Sequence, residues 1–600
     1  MASPKIDYQK RKNKELFKQF ETNAFIGLES AQNYIPVYDQ YFNLNETNYN
    51  NINLNHKWHL SKIEASINST KCFKCVLEAD SNANKTKNVF FKMAPLLDPY
   101  KYMSGKYETI STLSNLPSFN KTDAIHPKLL EPNNSSYVDG LFYYLSNRAL
   151  EQGFIHGIEY YGSFLGIKND FTFNIIDDIE YLATSDFFNK NNGVLFHTQD
   201  YSELLNDENE SVRKRQCPIV ISEDVALLDI EDLLEEDNYN VSSRETIIDL
   251  EEVSSLQVDA ANQTSLKSES SCSSRTSHTN SKDSVMSDSC DESDYSIEEE
   301  EEEEESKEEK NKEGDNGAKE KGDVDGETSE YEDVSSSSGS YSFEEEEDDV
   351  LNATIPKFPV QMIAIEHCNN TFDNLIRTNK LTNEEWFSAL MQIVMILLTY
   401  QKMYSMTHND LHTNNVMFVH TEKKHLYYCF NKTHYKVPTF GRIFKIIDFG
   451  RAIYKFNEVL FCSDSFQAGG DASTQYNTEP FLNGRKPRLD PNYSFDLCRL
   501  ACSIFDYIIR DMREVKEKCE TNAVARIITE WCLDDNGINV LYKNSGAERY
   551  PEFKLYKMIA RHVHKHTPQA QLERPEFAKF SIQKQNIKRG EPVMVLDNYM

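Results

Sequence analysis

The sequence predicts an α+β fold, with strand-like segments first, helix-like segments after them, and a long acidic insert between. Three observations carry this. Residues 59–63, 72–77 and 89–93 are short runs rich in apolar and β-branched residues, separated by polar turns, the pattern of successive strands. Apolar residues recur at helical spacing in 137–152 (Val138, Leu141, Phe142, Leu145, Leu150), and a long apolar stretch follows residue 382. The charge is concentrated in one place. The 600 residues carry a net charge of −33, and 201–350 alone hold 48 acidic and 12 basic residues. That segment is at −36 and the rest of the chain at +3. The remaining 450 or so residues are ample for a sizeable core.

Residues 1–56 read as an N-terminal extension whose basic stretch, 5–20, forms a surface helix and not a nucleic-acid arm. The three strands then follow, with Asn68, Ser69 and Thr70 at the first turn, and the last strand carries Lys92. Residues 158–166 read as a fourth strand. From 186 to 354 Ser, Glu and Asp dominate, including an unbroken Glu run at 298–305, so this insert is expected to be disordered. Its serines beside acids (Ser284, Ser287, Ser289, Ser293, Ser296) fit acidophilic phosphorylation sites or plain solvation. Residues 358–367 resume as a buried strand, and T-N-E-E at 382–385 is a capping box opening a long helix. A polar tail is expected over 581–600.

Twelve scattered cysteines form no disulfide framework, and the single C-x-x-C (Cys72, Cys75) has no second pair at zinc spacing. Reduced thiols and an intracellular, soluble protein are expected. No secretory signal is read at the start, and the apolar stretch 386–400 is too short to span a bilayer.

The chemistry centres on residues 407–452. T-H-N-D-L-H-T-N-N places His408, Asp410 and Asn415 as H-x-D-x-x-x-x-N, and K-I-I-D-F-G follows with Asp448, Phe449 and Gly450. A carboxylate five residues before an amide lets one tight loop present a base and a metal ligand to the same phosphate. Asp410 can accept the proton of an attacking hydroxyl, and Asn415 and Asp448 supply oxygen ligands of the kind Mg²⁺ prefers.

This motif pair resembles the catalytic and metal-binding loops of protein kinases. The resemblance covers roughly 57–185 and 355–580, and it implies a bilobal fold with a small antiparallel β lobe and a mostly helical large lobe. It implies ATP and Mg²⁺ as cofactors, protein substrates as partners, and no nucleic acid or membrane. Lys92 would then reach the ATP phosphates. Its acidic partner would be Asp139 or Glu151, with Asp139 favoured. Glu366 and Cys368 would flank the adenine, Glu479 would pair with Arg574, and Asp496 would bind the catalytic-loop backbone. Stretches such as SYVDGLFYYLS and HGIEYYGSFLG are similar to those of serine/threonine kinases of large DNA viruses.

Several residues depart from the pattern. No glycine lies between Asn55 and Pro95, where a phosphate-covering loop should be glycine-rich. Asn409 stands where these kinases carry Arg, which predicts activity without activation-loop phosphorylation. His412 replaces the lysine used on the transferring phosphate, giving H-x-D-L-H, similar to aminoglycoside and choline kinases. A small-molecule phosphotransferase and an inactive scaffold acting through the acidic insert therefore stand as alternatives to a serine/threonine protein kinase.

Overall fold

The computed structural model describes residues 5–67, 71–81, 83–107, 112–120, 124–201, 351–551 and 553–599. The expected covering turn (Asn68, Ser69, Thr70), the serine cluster and residues 202–350 of the insert lie outside the described residues.

The first strand, β1 (Tyr8–Lys10), pairs with β3 (Ile52–Leu54); α1 (Lys14–Thr22) and β2 (Leu28–Gln32) lie between them in the chain. The runs read as strands from the sequence form β4 (Trp58–Ser66), β5 (Cys72–Ala79) and β6 (Asn84–Pro95), an antiparallel meander. Two short helices, α2 (Pro99–Met103) and α3 (Pro127–Leu130), lead to α4 (Ser135–Glu151). Asn134 caps α4 by accepting the Ser136 N–H at 3.0 Å. Next come β7 (Tyr160–Asn174), α5 (Ile179–Ala183), α6 (Asp186–Asn191), β8 (His197–Thr198) and β9 (Asn352–Glu366). One curled sheet results, in the order β2-β7-β9-β6-β5-β4, with β8 beside β9 and every pairing antiparallel. Phe358 through Ile365 of β9 are all buried, as expected of a central strand covered on both faces. Helix α4 lies close against it: a Cβ at Gly140 would crowd the side-chain amide of Gln361.

The second half is helix-rich. After β10 (Asn370–Thr371) and α7 (Phe372–Thr378), the long α8 (Asn383–Tyr404) opens on the expected capping box between Thr382 and Glu385. Among the described residues no helix is long and apolar enough to cross a membrane. Four short strands follow, β11 (Val416–His420), β12 (His425–Phe430), β13 (Thr433–Pro438) and β14 (Arg442–Ile446). Pairing of β11 with β14 sets Val416 opposite Ile446, which draws the two signature loops together. The hairpin β15 (Ile453–Phe456) and β16 (Val459–Cys462) precedes α9 (Phe495–Ile508), α10 (Val515–Thr521), α11 (Ala523–Trp531) and α12 (Lys554–His562).

Three expectations about the margins are corrected. Residues 186–201 and 351–354, assigned to the insert from composition, form α6, β8 and the start of β9. Phe188 and Phe196 are buried there and stack at 5.2 Å, an apolar contact that the polar surroundings hide in a composition average. The basic stretch 5–20 is not one helix, since β1 occupies its first part. The polar tail is partly built in: β17 (Ser581–Ile582) pairs with β13, β18 (Val593–Val595) pairs with β12, and Met594, Leu596 and Tyr599 are buried.

A buried imidazole ties the halves together. His156 Nδ1 donates to the Phe444 carbonyl and Nε2 accepts from the Tyr428 hydroxyl, both at 2.7 Å, which fixes the neutral tautomer. Burial pushes its pKa down to about 3, and burial likewise pushes that of His59 to about 4, from 6.5. The unfolded chain binds these protons near 6.5 and the folded chain only much lower, so stability falls as pH drops from about 6.5 toward 4. The thermal midpoint is therefore expected to decline between pH 7 and 5. In His156→Gln the decline should be shallower; an unchanged slope would contradict the assignment.

Candidate active site

The two signature loops are held by buried backbone contacts. Asp496, at the start of α9 and fully buried, accepts the N–H groups of His408 and Asn409, both at 2.9 Å. His408 Nε2 donates to the Ile447 carbonyl at 2.9 Å and Nδ1 accepts the Asp410 N–H at 3.3 Å, which fixes its tautomer. Asn409 and Asp448 both sit in the left-handed region, at φ +65° and +66°. Strained non-glycine residues persist where their surroundings over-determine them. Asn409 is held by hydrogen bonds from its side-chain amide to the Arg451 carbonyl (3.0 Å) and from the Tyr476 hydroxyl to its Oδ1 (2.8 Å). The Asp448 N–H donates to the Tyr143 hydroxyl at 2.9 Å. Gly450 has no positive φ, and an added Cβ would make only ordinary contacts there.

Lys92 on β6 reaches two carboxylates. Its Nζ lies 2.8 Å from Asp139 Oδ2 and 2.8 Å from Asp448 Oδ1, with the lysine side chain 12% exposed. Burial opposes the ammonium charge, yet the two aspartates outweigh it and hold the lysine above its usual range. Asp139, near the start of α4, is raised by burial and by the neighbouring Asp448, partly offset by Lys92. Its Oδ1 accepts the Phe449 N–H at 2.7 Å, joining α4 to the second loop. Glu151, the other candidate, is engaged elsewhere: it pairs with Arg148 and accepts the Lys57 N–H at 2.9 Å. Phe449 is buried against Phe142 (4.4 Å), Tyr143 (5.2 Å) and His408 (5.5 Å), filling the space between α4 and the first loop.

Asp410 is 3% exposed, and its Oδ1 accepts the Tyr556 hydroxyl at 2.8 Å. Burial would raise this carboxyl, but Arg451, His412, Arg499 and the tyrosine hydrogen bond hold it down to about 2. Burial pushes His412 down to about 4, so at neutral pH it cannot supply the cation of the lysine it replaces. Asn415 Nδ2 donates to the Asp410 carbonyl at 2.9 Å, which leaves its buried Oδ1 with no hydrogen-bond partner. The Asn415 carbonyl accepts the Ile447 N–H at 3.0 Å, one residue before Asp448.

At the end of β9, Lys445 reaches Glu366 and the Gly157 carbonyl, and the Glu366 N–H is taken by the Glu159 carbonyl at 3.0 Å. Cys368, also buried, carries no backbone hydrogen bond among the described residues. One expected pair does not form. Glu479 is exposed, and Arg574 pairs with Glu530 and, at 3.9 Å, with Glu576. Two nearer carboxylates satisfy the guanidinium where the sequence supplied only motif order.

No family model matches the chain. Over 117 residues it is 26% identical to the serine/threonine-protein kinase haspin homolog of Drosophila melanogaster, a match covering 18% of this chain and 21% of that protein. The chain thus has a weak kinase-like relation, spanning about a fifth of the relative's length, and the match carries no viral connection.

Sequence reasoning missed Tyr143, Lys445, Arg451, Arg499 and Tyr556. Tyr143 had a usable signal, since it lies four residues after Asp139 and so shares its helix face. Arg451 directly follows D-F-G. Tyr556 and Arg499 carry no local signal, because only the packing of α12 on α9 brings them to Asp410. Lys92→Met would leave two buried carboxylates without their shared cation. The expected cost is about 3–5 kcal/mol in urea unfolding, with part recovered in the Lys92→Met/Asp139→Asn double variant; a loss below about 1 kcal/mol would contradict the ion-pair geometry.

Proposed function

We propose that the chain is a bilobal protein kinase that transfers the γ-phosphoryl group of ATP to Ser or Thr of protein substrates in the presence of Mg²⁺. The observation that carries this reading is the cluster of Lys92, Asp139 and Asp448, which the hydrogen bond from the Ile447 N–H to the Asn415 carbonyl joins to the loop of Asp410 and Asn415. The weak likeness to a serine/threonine kinase supports it. The strand-rich part, through β9, is the small lobe in this reading, and the part from α7 onward is the large lobe.

Lys92 binds the ATP phosphates, and Asp139 keeps it charged and aimed. The segment at Glu366 and Cys368 receives the adenine, with the Cys368 backbone free of protein partners among the described residues. The buried Asn415 Oδ1, which has no hydrogen-bond partner, and the Asp448 carboxylate suit Mg²⁺, which takes oxygen ligands. When bound, the ion would neutralise phosphate charge. Asp410 orients the acceptor hydroxyl and takes its proton. The acceptor oxygen forms the new bond to phosphorus while the bond from the γ-phosphorus to the bridging oxygen breaks, and ADP leaves with that electron pair. Catalysis rests on positioning and charge stabilisation, with no covalent enzyme intermediate. Serines of the acidic segment, Ser284 to Ser296 among them, are acceptor candidates by sequence.

The test is transfer from labelled ATP with Mg²⁺ to basic and acidic protein substrates and to the chain itself. Label on protein is expected, falling about 100-fold or more in Asp410→Asn and Asp448→Asn. Label that persists in both variants, or a wild-type chain that labels only small molecules or nothing, would overturn the reading.

A further inference from the structure

The carboxylate at the centre of the first loop is gripped by a residue outside both signature motifs. Tyr556, on α12, is buried and donates its hydroxyl proton to Asp410 Oδ1 at 2.8 Å. That hydroxyl also accepts from Arg499 Nε on α9 at 2.9 Å, so its direction is fixed. The tyrosine ring lies beside two guanidinium groups, with Arg499 Cζ 5.1 Å and Arg451 Cζ 5.7 Å from the ring centre. Phe495 and Phe553 pack against the ring at 6.2 and 5.4 Å. Among the described residues Asp410 Oδ2 accepts no hydrogen bond, and its nearest cation is Arg451 Nη1 at 3.9 Å. The two carboxylate oxygens are therefore inequivalent: Oδ1 is hydrogen-bonded to Tyr556, whereas Oδ2 has only the longer ion-pair contact with Arg451.

We propose that Tyr556, fixed by Arg499, is a positioning residue for phosphoryl transfer: it holds Asp410 Oδ1 so that Oδ2 is the oxygen presented to the acceptor hydroxyl. This rests on the kinase reading. It gives α12 a direct hold on the base, and α9 an indirect one through the Arg499 Nε bond to the Tyr556 hydroxyl. A carboxylate free to turn about its last bond would meet the acceptor in the right geometry only part of the time.

The experiment compares steady-state transfer by the full chain with that of Tyr556→Phe, Arg499→Met and the double variant, alongside thermal unfolding of each. Tyr556→Phe keeps the ring and removes only the hydroxyl. The expected result is a fall in kcat of about tenfold in each single variant, with KM for ATP and for the protein acceptor within about twofold of wild type. The double variant should be no slower than the singles, because the two side chains act as one unit. A kcat within about twofold of wild type in Tyr556→Phe would overturn the assignment, as would single-variant losses that multiply in the double variant. A rise in kcat would also overturn it, showing that the phenol blocks the acceptor. A wild-type chain that transfers no phosphate to protein overturns the kinase reading together with this one, whereas an active wild type with an unaffected Tyr556→Phe removes only the role of Tyr556.

Discussion

The arrangement of the site depends on one buried cation. Lys92 comes from the sheet, Asp139 from α4 and Asp448 from the loop after β14, and a single ammonium group brings all three to one point. Two carboxylates placed this close would repel each other in a low-dielectric interior, and the lysine between them turns that repulsion into cohesion. Asp139 also receives the Phe449 N–H, so α4, the second loop and the phenylalanine cluster are fixed by the same contact. An aspartate has one methylene fewer than glutamate to span this gap. The close seating of α4 on β9, where Gly140 meets Gln361, is consistent with that shorter reach.

Much of this was legible in the sequence because it is local. The meander β4–β6 shows in its alternating runs, α8 in its capping box, and the two signature loops in fixed spacings within a few residues. Asp139 and Glu151 both stood as partners for Lys92, with Asp139 favoured, and the ion pair selects Asp139. What was not legible depends on tertiary packing. Glu479 and Arg574 are linked by motif order, but Arg574 meets Glu530 and Glu576 on neighbouring elements first. The contact of Tyr556 with Asp410 crosses 146 residues of chain, and that of Arg499 with Tyr556 crosses 57. The strands near both chain ends, and the short elements after residue 186, were masked by polar composition although a few apolar side chains anchor each.

The first loop shows how polar groups are buried without being wasted. His408, Asn409 and Asp496 are fully buried and each makes at least two directed hydrogen bonds. Together they hold Asn409 in a left-handed conformation that its own backbone would disfavour. The exception is Asn415 Oδ1, which lacks a hydrogen-bond partner while its amide nitrogen is used. A buried orphan acceptor in the loop that carries Asp410 is the kind of local deficit that a bound cation would remove.

The strand pairs at the margins of the acidic segment confine what that segment can do to the sheet. β8 ends at Thr198 opposite Ala353, and Asn174 on β7 lies opposite Asn352, so the chain departs and returns on neighbouring strands. Such an exit and re-entry act as a permissive port. About 150 residues lie between the two by sequence; for a flexible insertion of any length, closure entropy grows only logarithmically, by about 0.6 kcal/mol per doubling. The register of the sheet, and the position of Lys92 within it, is set by these strand pairings and not by the segment between them.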